Sequence, residues 1–294
     1  MNSRTSSPDP GSKTAGRLWI LAAVLMWSSC GLFVKCGLFD DWPAATRGPI
    51  LAFWRAAFAA AILLPMIRRP RWHRLLVPMT GVFAVMSVTY LAAMSLTTAA
   101  NAIWLQGTAP WWVFIISVVL LRKPVVRRDL VPLCFGAVGV GMILFFEVQG
   151  ENVAGVLLGL ISGVTFGCVI MFLRRLHRED SAWLIGLNHS VVALALVPLV
   201  LYLGIRPTAL QLLVLAGFGA FQMAIPYVFM VRGLRTVGPQ EAVAIGLLEP
   251  VLNPLWLFLL GLETPRWWTV AGAALIFAGL VLRYVVLERV WSRR

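Results

Sequence analysis

Two ionisable residues stand where a bilayer-spanning segment gains nothing from charge. Glu249 lies in Gly246–Pro265, GLLEPVLNPLWLFLLGLETP, an apolar run long enough to cross a membrane. Arg55 lies in a second such run, within Phe53-Trp54-Arg55-Ala56. An acid at bilayer depth costs about 3 kcal/mol on insertion scales, so such residues face a cavity or pair with one another. A carboxyl group there can hold a cationic substrate group or carry a proton, and a guanidinium can hold an anion. The alternative is structural: a buried ion pair, or an arginine capping carbonyls that prolines set free. Pro250 follows the acid directly and Pro254 comes one turn later. Each proline leaves a backbone carbonyl without its helical partner.

Around these two lie residues able to read a small molecule. Trp27, Tyr90, Trp104, Trp111 and Tyr227 are aromatics inside apolar runs, suited to flat or cationic groups at roughly 0.5–2 kcal/mol each. Gln106, Asn188, Gln222 and Asn253 fall deep in such runs and can donate and accept. His189 has the chemistry of a proton relay. Each has a plainer reading: the amides as hydrogen bonds between helices, the aromatics as packing, and His189 as a helix contact. Trp42, Trp72, Trp267, Trp268 and Trp291 stand where an interfacial belt places them.

No catalytic grouping is expected. His73 and His177 lie in basic gaps and His189 stands alone, with no acid/His or Ser/His spacing. The four cysteines form no CxxC or Cys/His metal pattern, and no phosphate-binding glycine loop of the ATPase kind occurs. The chain is therefore read without metal, cofactor or direct ATP drive. An integral membrane enzyme acting on lipid, or a non-transporting scaffold, remain the alternatives to a carrier.

The elements that must position these residues follow from composition. The 294 residues are 60% hydrophobic and 13% charged, with mean hydropathy +0.85, too apolar for a water-soluble domain. Ten spans are expected, all helical because lipid leaves no other partner for the backbone. They are Leu18–Gly37, Pro49–Ile67, Leu75–Leu96, Ala99–Leu121, Leu130–Phe146, Val153–Leu173, Ala182–Leu203, Leu210–Val231, Pro239–Leu260 and Trp267–Leu287. Residues 1–16, rich in Ser, Pro and Gly, read as a disordered cytoplasmic tail. Glycines four apart, Gly155 with Gly159 and Gly163 with Gly167, and those at Gly136, Gly139, Gly141, Gly272 and Gly279 predict close helix contacts.

The net charge of +13 does not indicate nucleic acid, because the basic residues sit in the short gaps between spans. Twenty of the 25 Lys and Arg residues fall in alternate gaps and the termini, four in the others, and Arg55 within a span. That bias puts both termini in the cytoplasm. A shift of 140 positions lays Pro250 on Pro110, Ala242 on Ala102, Leu260 on Leu120 and Gly279 on Gly139. One offset across two successive runs indicates duplication. A five-span unit repeated in tandem enters the membrane in opposite senses, so residues 17–150 and 151–294 are expected to form inverted repeats with a site between them.

Three passages resemble a known family. Phe53-Trp54-Arg55 is similar to an aromatic–Arg helix start. Tyr90-Leu91-Ala92-Ala93-Met94-Ser95-Leu96-Thr97-Thr98-Ala99-Ala100-Asn101-Ala102 is similar to an A-L-x-x-T-x-A-x-x-A passage. Leu248-Glu249-Pro250-Val251 leading to Gly261-Leu262-Glu263 is similar to an EP…GE signature. Together they resemble EamA-type permeases of the drug/metabolite transporter superfamily. Where the first repeat of that family usually has Glu, this chain has Lys123, while Glu263 keeps it in the second. The resemblance implies a multi-pass carrier of the cell inner (plasma) membrane, working by alternating access as a monomer or homodimer. It implies a small-molecule substrate such as an amino acid or an aromatic or cationic compound, exported across the lipid bilayer.

Overall fold

The computed structural model describes residues 10–120, 122, 130–147, 153–176, 179–237, 242, 245–246 and 248–282, and among these there is no strand. Its helices are α1 (Pro10–Trp27), α2 (Cys30–Lys35), α3 (Ala44–Leu63), α4 (Leu76–Leu96), α5 (Ala99–Gln106), α6 (Ala109–Val119) and α7 (Leu130–Glu147). There follow α8 (Val153–Arg175), α9 (Ser181–Leu203), α10 (Ala209–Gly219), α11 (Ile225–Gly233), α12 (Glu249–Leu259) and α13 (Trp267–Val281). Seven segments are long and apolar enough to cross a membrane: Lys13–Lys35, Ala44–Met66, Leu76–Leu96, Ala99–Val119, Val153–Leu173, Ser181–Leu203 and Ala209–Gly233. Cys134–Phe146 and Trp267–Gly279 are shorter apolar helices. The expected ninth span, Pro239–Leu260, lies partly outside the described residues, as do Lys123 and His177.

Two expectations need correction. Helix α1 begins at Pro10, ahead of the boundary placed after residue 16. Gly16 makes this possible: a Cβ added to it would lie 3.1 Å from the Gly233 carbonyl oxygen, and one on Gly233 2.7 Å from that of Gly16. Two bare backbones touch, so the helix end is held by α11 rather than left in water. The second correction concerns Glu249. It does not sit mid-helix. Leu248 is a turn residue, Glu249 is the first residue of α12, and Pro250 follows in the first turn, where a missing N–H is harmless.

Broken spans recur. Ser28 and Ser29 separate α1 from α2, each hydroxyl donating back to a carbonyl three residues earlier, Leu25 at 2.8 Å and Met26 at 2.6 Å. Gly107 and Thr108 separate α5 from α6, where Pro110 begins the new helix. Between α10 and α11 the chain widens into a π-turn, Ala220–Ala224. Pro226 cannot donate to the carbonyl of Gln222, four residues back, which explains the widening.

Polar contacts join loops at two opposite ends. At one end Asp180 caps α9 and accepts from the backbone N–H groups of Arg68 (2.9 Å) and Arg69 (3.1 Å), while the Trp183 indole donates to the Arg71 carbonyl at 2.9 Å. At the other end Lys35 donates to the Thr97 carbonyl at 2.8 Å and pairs with Glu263 at 2.9 Å. Gln211 donates there to the Leu38 carbonyl at 2.9 Å. Loops that the charge bias assigns to one side thus meet one another. The fifth and tenth apolar segments also pack together: a Cβ on Gly139 would stand 2.5 Å from the Gly272 carbonyl oxygen, and one on Gly272 2.6 Å from that of Gly139.

Candidate functional site

Arg55 occupies the middle of α3 and is 2% exposed. A guanidinium so buried requires partners, because an unpaired charge in apolar surroundings is strongly unfavourable. Its Nη2 donates to Ser87 Oγ on α4 at 2.9 Å, and its Nη1 to Gln222 Oε1 in the π-turn at 3.3 Å. The Phe218 ring on α10 lies 5.3 Å beneath it, a cation–π contact. The π-turn therefore has a job: it swings Gln222 towards α3. The Nε atom has no hydrogen-bond partner among the described residues. Cys30 and Tyr90, both buried, are electrostatic neighbours of this guanidinium.

Glu249 forms no ion pair with Arg55. No ion pair or hydrogen bond reaches its carboxylate among the described residues, and it is half-buried. Cys30, Tyr90 and Tyr227 are within its electrostatic reach. Trp27 and Tyr227 meet edge to face at 5.3 Å, joining α1 to α11. The Trp256 indole donates to Ser28 Oγ at 2.9 Å, tying the break between α1 and α2 to α12. Opposite charges, aromatic rings and broken helices thus share one region between the two halves of the chain. Asn253 is buried there with neither amide atom partnered among the described residues, and a Cβ added to Gly31 of α2 would stand 2.6 Å from its amide oxygen.

Other expected site residues are placed differently. Asn188 and His189 on α9 are fully buried, and none of their polar side-chain atoms has a partner among the described residues. His189 meets the Phe83 ring edge-on at 5.1 Å and has Arg55 as an electrostatic neighbour. Gln106 is committed to α8 through Ser162 Oγ at 2.7 Å. Trp104 lies in the apolar cluster with Leu105, Val140 and Ile143, edge-on to Phe277 at 6.2 Å. Trp111 packs on the glycine face of α7, where a side chain at Gly136 would strike its ring. All three thus touch a neighbouring helix. Ser87 and Phe218 were missed by sequence reasoning. Pro226 frees the carbonyl of Gln222 and so marks the turn that delivers that side chain, but no such local signal marks Ser87 or Phe218.

A cavity of about 530 Å³ opens beside this region, lined by Leu63, Ile185, Tyr227, Arg68, Asp180 and the Arg232–Arg235 turn among others. The Asp180 carboxyl group is pushed up by partial burial, but N–H groups of Arg68, Arg69, Trp183 and Ala182 outweigh that and hold it below the ordinary carboxylate value. Among the described residues no three His, Cys, Asp or Glu side chains converge as a metal site.

Comparison with known proteins agrees with this architecture. The EamA-like transporter family matches twice in tandem, over residues 14–145 and 153–285. An uncharacterized transporter of Archaeoglobus fulgidus is 28% identical over 269 residues, which cover 90% of this chain and 94% of that one. A solved crystal structure superposes with a TM-score of 0.65 at 19% identity, over 94% of this chain and 99% of that one, a likeness of fold alone.

Proposed function

We propose, for a chain that belongs to the EamA-like transporter family, a secondary transporter that passes small metabolites between its two repeats by alternating access. The observation that carries this reading is the separation of Arg55 from Glu249. Arg55 donates once from each Nη, to Gln222 and Ser87, and keeps Nε without a partner, whereas Glu249 has no protein partner among the described residues. A structural ion pair would have brought the two together. Two unmatched groups of opposite sign flanked by Trp27, Tyr90 and Tyr227 suit an amino acid or a small aromatic or cationic compound. Glu249 is the group that meets the substrate's cation or a coupling proton. Arg55 offers its Nε–H to an anion.

In this reading the spans number ten and the arginine-rich face is cytoplasmic, in the inner membrane. The Lys35–Glu263 pair then closes the outer end. Flux is outward. The helix breaks at Ser28, Gly107, Ala220–Ala224 and Leu248 are where one half rocks against the other, since a segment without continuous backbone bonds bends more readily. Counterflow of labelled amino acids and lipophilic cations in proteoliposomes tests the reading. Glu249→Gln abolishes counterflow and flattens its pH dependence, while the thermal unfolding midpoint stays near that of the parent. Full flux in both Glu249→Gln and Arg55→Gln would overturn it.

A further inference from the structure

We infer that the cavity at the arginine-rich end is a binding site for an oxyanion, adjoining the region around Arg55 and Glu249 and sharing Tyr227 with it. Three guanidinium groups, Arg68, Arg232 and Arg235, line its roughly 530 Å³. The charge bias of membrane topology accounts for arginines at this end, but not for three from two distant segments meeting in one hollow. Their counter-charge is spent elsewhere. Asp180, the one acid among the described residues of the lining, accepts from four backbone N–H groups, those of Arg68, Arg69, Ala182 and Trp183. No salt bridge engages Arg68, Arg232 or Arg235 among the described residues. Arg232 instead has its guanidinium carbon 5.4 Å from the Trp19 ring centroid, a cation–π contact that uses none of its N–H donors.

The deeper wall is apolar, formed by Leu63, Ile185 and Val231 with the Tyr227 ring. The site thus takes a carboxylate or phosphate group at the mouth and a small apolar body below it. Guanidinium groups grip such oxygens through paired N–H donors, which gives geometry as well as charge. A soluble organic acid, a free phosphate or the phosphate of a lipid headgroup would each present this chemistry. Tyr227 also touches Trp27, so an occupant here lies next to the proposed path without being part of the flux reading.

The test needs no transport. Binding of labelled inorganic phosphate to the full chain is measured at low salt, in nanodiscs of phosphatidylcholine. Saturable binding at one site per chain is expected, weakened about tenfold or more in Arg232→Gln/Arg235→Gln. Arg71→Gln/Arg74→Gln, which removes as much charge outside the cavity, stays within about twofold of the parent. Should the first double variant not fold, Arg235→Gln alone serves, with a smaller loss expected. Adding phosphatidylglycerol to the nanodiscs separates the sources: competition with phosphate identifies a lipid headgroup, and its absence a soluble anion. Unsaturable binding by the parent, or equal loss in both double variants, would overturn the inference.

Discussion

The two proline breaks, one in each repeat, occupy the same place in the duplicated unit and have become different things. In the first, Thr108 turns its hydroxyl onto the Leu105 carbonyl at 2.6 Å, and Ala109 is 1% exposed. Helix α8 closes over it: a Cβ on Gly163 would stand 2.5 Å from the Leu105 carbonyl oxygen, and one on Gly167 3.0 Å from that of Ala109. In the second break, 140 positions on, Leu248 replaces the threonine and Glu249 replaces the alanine. Nothing in the described protein bonds that carboxylate. The same backbone interruption is thus sealed in one half and left with an open charge in the other. Proline sets where a span breaks; the residue before it and the helix beside it set whether the break is scaffold or site.

Putting the acid into the sealed break is the harshest test of that contrast. Ala109→Glu buries a carboxylate with no room and no partner, and is expected to lower stability by about 3 kcal/mol or prevent insertion. Reversible unfolding in mixed micelles measures it. The glycines should divide in the same way. Gly163→Leu forces α8 off the first break and costs roughly 1–3 kcal/mol. Gly246→Ala, on the approach to the second break, has nothing within 4 Å of its new Cβ and should change stability by about 0.5 kcal/mol or less.

Smaller effects are expected away from the breaks, at the two ends. Gly261, at φ 67°, turns the chain after α12 so that Glu263 reaches the Ala99 N–H at 2.8 Å and Lys35 at 2.9 Å. A double-mutant cycle of Lys35→Gln and Glu263→Gln should give a coupling of roughly 0.5–1 kcal/mol, the upper part of the range for pairs that keep some contact with water. At the opposite end Asp180 titrates below its ordinary value of 3.8. The unfolded chain therefore takes up that proton more readily than the folded one. Its stabilisation is whole above about pH 4 and is lost as pH falls through the lower folded value. The stability gap between parent and Asp180→Asn should be constant from about pH 5 to pH 8 and close only under stronger acid.

Much of this was legible in the chain because it is written locally. Prolines at 110 and 250 mark the breaks, and Gly139 with Gly272 marks a backbone contact, since no side chain intervenes. The 140-residue offset exposes the duplication, and with it the substitution of Glu249 for Ala109. What could not be read is whatever depends on a partner far along the chain. Arg55 meets Ser87 and Gln222, 32 and 167 positions away, and no spacing predicts such pairs. The helix contacts of Trp104, Trp111 and Gln106, with Phe277, the Gly136 face and Ser162, likewise lie far along the chain. The early start of α1 followed from Gly16 finding Gly233, again a contact between distant segments.

The contrast between the breaks is tested most directly by water itself. The four native cysteines, Cys30, Cys36, Cys134 and Cys168, are first replaced. Glu249→Cys and Ala109→Cys are then exposed to a membrane-impermeant thiol reagent in sealed vesicles of either orientation. The account predicts labelling at position 249 from at least one side and none at position 109 from either. Labelling at 109, or silence at 249 from both sides in folded protein, would contradict it.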